Sequence, residues 1–133
     1  MVEEKSNAYI IHKLMAVILD IVIVVLFVVI GSKEHDAGLT FGYGLLIGLP
    51  FIASFFAVQA VVSKDMRSIK NAAISAVISV PIAIAIRVNL PRVAGREEFT
   101  FKPVFAIISL VFLTFGWCAW RFILSKVRGE QSK

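Results

Sequence analysis

The sequence predicts an all-α integral membrane protein: one four-helix bundle domain over residues 1–133, with both termini cytoplasmic (N-in/C-in). Three observations predict it. Of 133 residues, 59% are hydrophobic and only 17% charged, where soluble domains carry roughly a quarter charged. The apolar residues gather into four runs, each near the ~20 residues a helix needs to cross a ~30 Å hydrocarbon core. The Lys and Arg residues fall mostly in connections and ends, the placement expected of a membrane protein. The net charge of +5 therefore suggests no nucleic-acid partner; the expected surroundings are a lipid bilayer.

The first span covers about 12–30, after a short polar tail over 1–11. It is rich in Val and Ile, yet its length and lack of turn residues favour a helix, which satisfies its own backbone hydrogen bonds in lipid. Asp20 interrupts it. The run ends without a small-residue cleavage site, so it is expected to stay as a permanent helix rather than a removed signal. Gly31 to Gly38 reads as a compact polar turn, carrying His35 and Asp36.

The second span covers about 39–62. Gly44 and Gly48 have small-xxx-small spacing, which lets another helix approach closely, and Pro50 predicts a kink. The third covers about 71–90. Ser75, Ser79 and Ala83 recur every four residues as a packing stripe; Pro81 predicts a bend, and Arg87 stands near the far end. A loop is expected from Pro91 to Lys102. The fourth span covers about 103–124 and finishes with Trp117, Trp120 and Arg121, with the indoles expected at the membrane interface. A basic tail follows from Ser125.

Orientation follows from charge. Nine of the fourteen Lys and Arg residues (Lys5, Lys13, Lys64, Arg67, Lys70, Arg121, Lys126, Arg128 and Lys133) share the face that holds both termini. That excess places this face in the cytoplasm of a cell (inner) membrane.

The pattern resembles a prokaryotic family of four-span membrane proteins described only as a domain of unknown function. The residues that carry the resemblance are Asp20, then Gly31-Ser32-Lys33-Glu34-His35, Pro50-Phe51, Arg87, Phe99-Thr100-Phe101 and Trp120-Arg121, over about residues 14–124. Lys33 stands where the family pattern calls for arginine, so a bidentate anion contact is not expected there. The resemblance implies a topology and no activity, cofactor or substrate.

Asp20 is the sharpest candidate for function. Intramembrane carboxylates face bundle interiors or water-filled cavities and often serve ion or proton paths. The alternative is a structural hydrogen bond to Ser75, Ser79 or Thr114. Arg87 sits near the opposite face, on the order of 10 Å from Asp20 in depth, so Arg121 is the better-placed partner. Arg87 is expected to extend outward toward Glu34, Asp36 or lipid phosphate. His35 and Asp36 are candidate outer-loop polar residues, but three adjacent side chains make a poor chelate and no metal site is expected. Cys118 is the single cysteine, which excludes a disulfide framework. No nucleophile elbow, HExxH or P-loop is present, so neither an enzyme nor a cofactor is expected. The reading is a non-enzymatic accessory or assembly component that binds a membrane-protein partner or its own copies. The alternative is a small oligomeric transporter or channel using Asp20.

Overall fold

The computed structural model describes residues 2–34, 41–62, 65, 67–94 and 102–131. Four helices account for nearly all of them: α1 (Val2–Glu34), α2 (Phe41–Val62), α3 (Ile69–Ala94) and α4 (Pro103–Gln131). All four are long and apolar enough to cross a membrane, so this is a multi-pass membrane protein. Consecutive helices are antiparallel, and α4 closes the ring against α1, giving the contact order α1–α2–α3–α4–α1. The bundle therefore has a base, where α1 begins and α4 ends, and a top.

The helices run beyond the expected spans. The N-terminal tail is helical from Val2, and Glu3 and Glu4 in its first turn complement the helix dipole. Gly31 to Glu34 continue α1 instead of turning. Pro91 lies inside α3, and the basic tail after Ser125 extends α4 to Gln131, with Arg128 in its last turn. Glu, Lys, Arg and Gln are good helix formers, so polarity marks where a span leaves lipid, not where its helix stops. At 1.5 Å per residue, α1's 33 residues measure about 50 Å and α4's 29 about 44 Å. Pro50 and Pro81 stay within continuous helices. His35, Asp36 and the loop over 95–101 lie outside the described residues.

Local chemistry fixes the starts of α3 and α4. The Ser68 hydroxyl accepts the Asn71 backbone N–H at 3.3 Å, a helix cap. Pro103 opens α4, where its missing N–H is harmless.

The core is layered. Four-residue steps put Ala16, Asp20, Val24 and Val28 on the inner face of α1. They also put Gln59, Phe55, Phe51 and Ile47 on α2, Ala72, Ala76, Val80 and Ile84 on α3, and Arg121, Trp117, Leu113 and Ser109 on α4. Every one of these residues is buried. The register is pinned by the Phe55–Trp117 stack, 3.7 Å between centroids, and by Gly48 against Val24 and Val28. Small residues Ala72, Ser75, Ala76, Ser79 and Ala83 make α3 the slim member of the bundle, and all are 0% exposed. Large aromatics on α2 and α4 fill the space they leave. Gly44, at the top of α2, is half-buried.

Candidate functional site

Asp20 projects from α1 into the bundle, one layer above the base, and is 1% exposed. Arg121, 2% exposed, reaches it from α4. The guanidinium grips the carboxylate with both arms: Nη1 donates to Oδ1 at 2.8 Å and Nη2 to Oδ2 at 2.9 Å. Nη1 also donates to the Trp117 carbonyl, one turn back on its own helix, at 2.8 Å. This bond aims the arginine into the bundle rather than out toward headgroups. A planar fork matched to a carboxylate is the strongest geometry available to an ion pair.

Two indoles complete the arrangement. Trp120 Nε1 donates to Asp20 Oδ1 at 2.9 Å, and Trp117 Nε1 donates to the Asp20 main-chain carbonyl at 3.2 Å. Both rings are buried, Trp117 entirely, so they turn into the bundle rather than outward from it. Asp20 supplies the hydrogen-bond partner that an interfacial indole finds in water. The Arg121 guanidinium lies 4.2 Å from the Trp120 ring centre and 5.9 Å from that of Phe55, so its faces meet π-systems while its edges meet oxygen. An isolated charge in hydrocarbon is expensive; here opposite charges, donors and aromatic faces surround each other.

The serine and threonine partners suggested for Asp20 are corrected. Ser79 Oγ donates to the Ala76 carbonyl at 3.5 Å, while Ser75 Oγ and Thr114 Oγ1 are buried with no hydrogen-bond partner. Gly116 is a residue that sequence reasoning missed. A Cβ there would stand 2.6 Å from Ile23 Cγ2, so its missing side chain lets α4 close on α1 beside Asp20. It has no small partner four residues away, and its one signal is its place between Phe115 and Trp117. Gly48 is less tight, with its nearest neighbours at 3.5 and 3.6 Å.

Arg87 belongs to the opposite end. Its guanidinium lies 4.0 Å from the centroid of Phe105, part of an aromatic group in which Phe27 meets Phe51, Phe105 and Phe112 at 5.5–5.8 Å. Arg87 is half-buried. At the base, Arg128 Nη2 approaches His12 Nδ1 at 3.0 Å; with arginine the donor, Nδ1 is the acceptor. Cys118 is half-buried, its thiol 3.9 Å from the Ile69 carbonyl. Among the described residues, no three His, Cys, Asp or Glu side chains gather as a metal site would require.

What this arrangement can do chemically is hold. Asp20, Trp117, Trp120 and Arg121 join the first helix to the last through four hydrogen bonds between α1 and α4. No curated protein and no solved structure matches the chain. The family described as "Protein of unknown function (DUF3054)" matches residues 17–124, a stretch that runs from just before Asp20 to just past Arg121, and the chain belongs to that family.

Proposed function

We propose that this protein is a non-enzymatic membrane component that works by binding other membrane proteins, as an accessory or assembly part of a larger complex. The observation that carries this reading is the enclosure of the Asp20–Arg121 ion pair in the core. The side chains of Asp20 and Arg121 are 1% and 0% exposed, and both carboxylate oxygens are bonded within the fold. A transport site has to offer its charge to a passing ion, and this one is committed to fastening α1 to α4. The reading as a small oligomeric transporter loses its main support with that commitment.

Two further features favour binding. Every residue from Val2 to Met15 is exposed, and α1 exceeds the bilayer's thickness. At the base α1 and α4 stand side by side through His12 and Arg128. The Lys and Arg excess assigns this base to the cytoplasm, so the paired helix ends meet partners there and at the adjoining interface.

A photo-crosslinking residue placed at Ile18 or Val25, each 50% exposed on α1, is expected to trap one or a few discrete protein adducts in native membranes. The buried Val24 position serves as the control and traps none. Only uncrosslinked monomer from every exposed position sinks the proposal. Ion flux in proteoliposomes that disappears in Asp20→Asn would instead establish the transporter.

A further inference from the structure

Below the buried ion pair, α1 and α4 meet a second time. Arg128 lies two turns below Arg121 on α4, and His12 lies two turns below Asp20 on α1. This contact is therefore about 11 Å nearer the base than the ion pair. Its depth can be set against the membrane. From Lys13 to Lys33, α1 carries one charged residue, Asp20, and the rise between the two lysines, about 30 Å, matches a hydrocarbon core. His12 stands where hydrocarbon gives way to lipid phosphates. Arg128 Nη2 is held 3.0 Å from His12 Nδ1. With Nδ1 accepting, the proton of the neutral ring stands on Nε2, so the pair offers its surroundings N–H donors and one positive charge. Arg121, in contrast, commits both arms to a carboxylate. Among the described residues, no carboxylate lies within ion-pair distance of Arg128, and Glu3 and Glu4 stand about two turns below His12 on α1.

We propose that His12 and Arg128 bind the phosphate of an anionic phospholipid at the base of the bundle. A phosphodiester accepts hydrogen bonds, donates none and carries one negative charge, the complement of this donor pair. The bond to Nδ1 holds the guanidinium in place before the lipid arrives, so His12 positions Arg128 as well as donating through Nε2. The helix surfaces one turn higher suit acyl chains: Met15 on α1 is exposed and Leu124 on α4 is half-buried. Lys5, Lys13 and Lys126 share the base, and their field favours a headgroup of net negative charge over a zwitterionic one. The site rests on this pair alone and requires no protein partner.

Native mass spectrometry of the full chain in detergent, with phosphatidylglycerol, phosphatidylcholine or inorganic phosphate added in turn, tests the site. One phosphatidylglycerol should be retained in preference to phosphatidylcholine. Arg128→Gln should weaken that retention by at least about ten-fold, the loss of a charge-assisted contact. His12→Ala should weaken it by a smaller factor, since the guanidinium remains but is no longer held. Lys126, whose Nζ lies 5.5 Å from the Phe122 ring centre, serves as the control. Lys126→Gln removes the same charge, and its effect should stay within the about five-fold that general attraction supplies. All three positions are exposed, so the variants should keep the helix content of the parent by circular dichroism. Equal losses in Arg128→Gln and Lys126→Gln, or equal retention of the two lipids, overturn the proposal. Inorganic phosphate that binds and is lost in Arg128→Gln, with no lipid retained, makes the occupant a free phosphate and overturns the lipid assignment.

Discussion

The two ends of the bundle each hold an arginine, one enclosed and one half-buried. Near the base, Arg121 is enclosed and bonded on both arms to a carboxylate from another helix. Near the top, Arg87 is half-buried and lays its guanidinium over the Phe105 ring at 4.0 Å. A fully enclosed guanidinium in hydrocarbon needs an opposite charge, and one that is half-buried also gains from an aromatic face. The base is therefore the chemically specified end, where the wrong residue leaves an orphaned charge. The top is held by aromatic packing that tolerates more.

The largest effect should come from breaking the basal pair on one side. Arg121→Met leaves the Asp20 carboxylate buried without its counter-ion, and losing one partner of such a pair costs about 3–5 kcal/mol. Reversible unfolding in mixed micelles would measure it. The double variant Asp20→Leu with Arg121→Met should recover most of that loss, since apolar replacement of a whole buried pair is often neutral. If the double variant is as unstable as the sum of the singles, the pair is not the unit that fastens α1 to α4.

An intermediate effect separates two glycines that the sequence ranks in the other order. Gly116→Ala forces a Cβ to within 2.6 Å of Ile23 Cγ2, and overpacking of this kind costs about 1–3 kcal/mol. Gly48→Ala meets Val28 and Val24 at 3.5 and 3.6 Å, ordinary contact, and alanine's helix propensity is better by about 1 kcal/mol. Gly116→Ala should lower stability and Gly48→Ala should leave it level or raise it. Pairing Gly116→Ala with Ile23→Val tests the cause, because shortening the clashing side chain should restore part of the loss.

That contrast shows what the sequence makes legible. Run length and charge placement are one-dimensional properties, so four helices, their order and the depth of Asp20 can be read directly. Depth also favours Arg121 over Arg87 as the neighbour of Asp20. Rotation about each helix axis is another matter. In lipid the outer face is as apolar as the inner one, so the amphipathic signal that orients a soluble helix is nearly flat. Hence Ser75, Ser79 and Thr114 read as partners for Asp20, and Gly116 as unremarkable. Each of those assignments depends on which way a helix is turned. Gln59 stayed silent for the same reason, since one amide in an apolar run does not reveal that it faces the core.

The smallest effect tests the top of the bundle and fixes the scale of the comparison. A double-mutant cycle between Arg87→Met and Phe105→Leu removes the guanidinium and the ring separately and together, so interactions either residue makes elsewhere cancel. A cation over an aromatic face at a partly exposed site couples by about 0.5–1 kcal/mol. The matching basal cycle, Arg121→Met against Asp20→Leu, should couple by several-fold more, because each single variant there orphans a buried charge. Equal coupling at both ends would show that enclosure does not set the strength of these contacts. Coupling at the top that matches the basal value would also mean that the top is specified as tightly as the base.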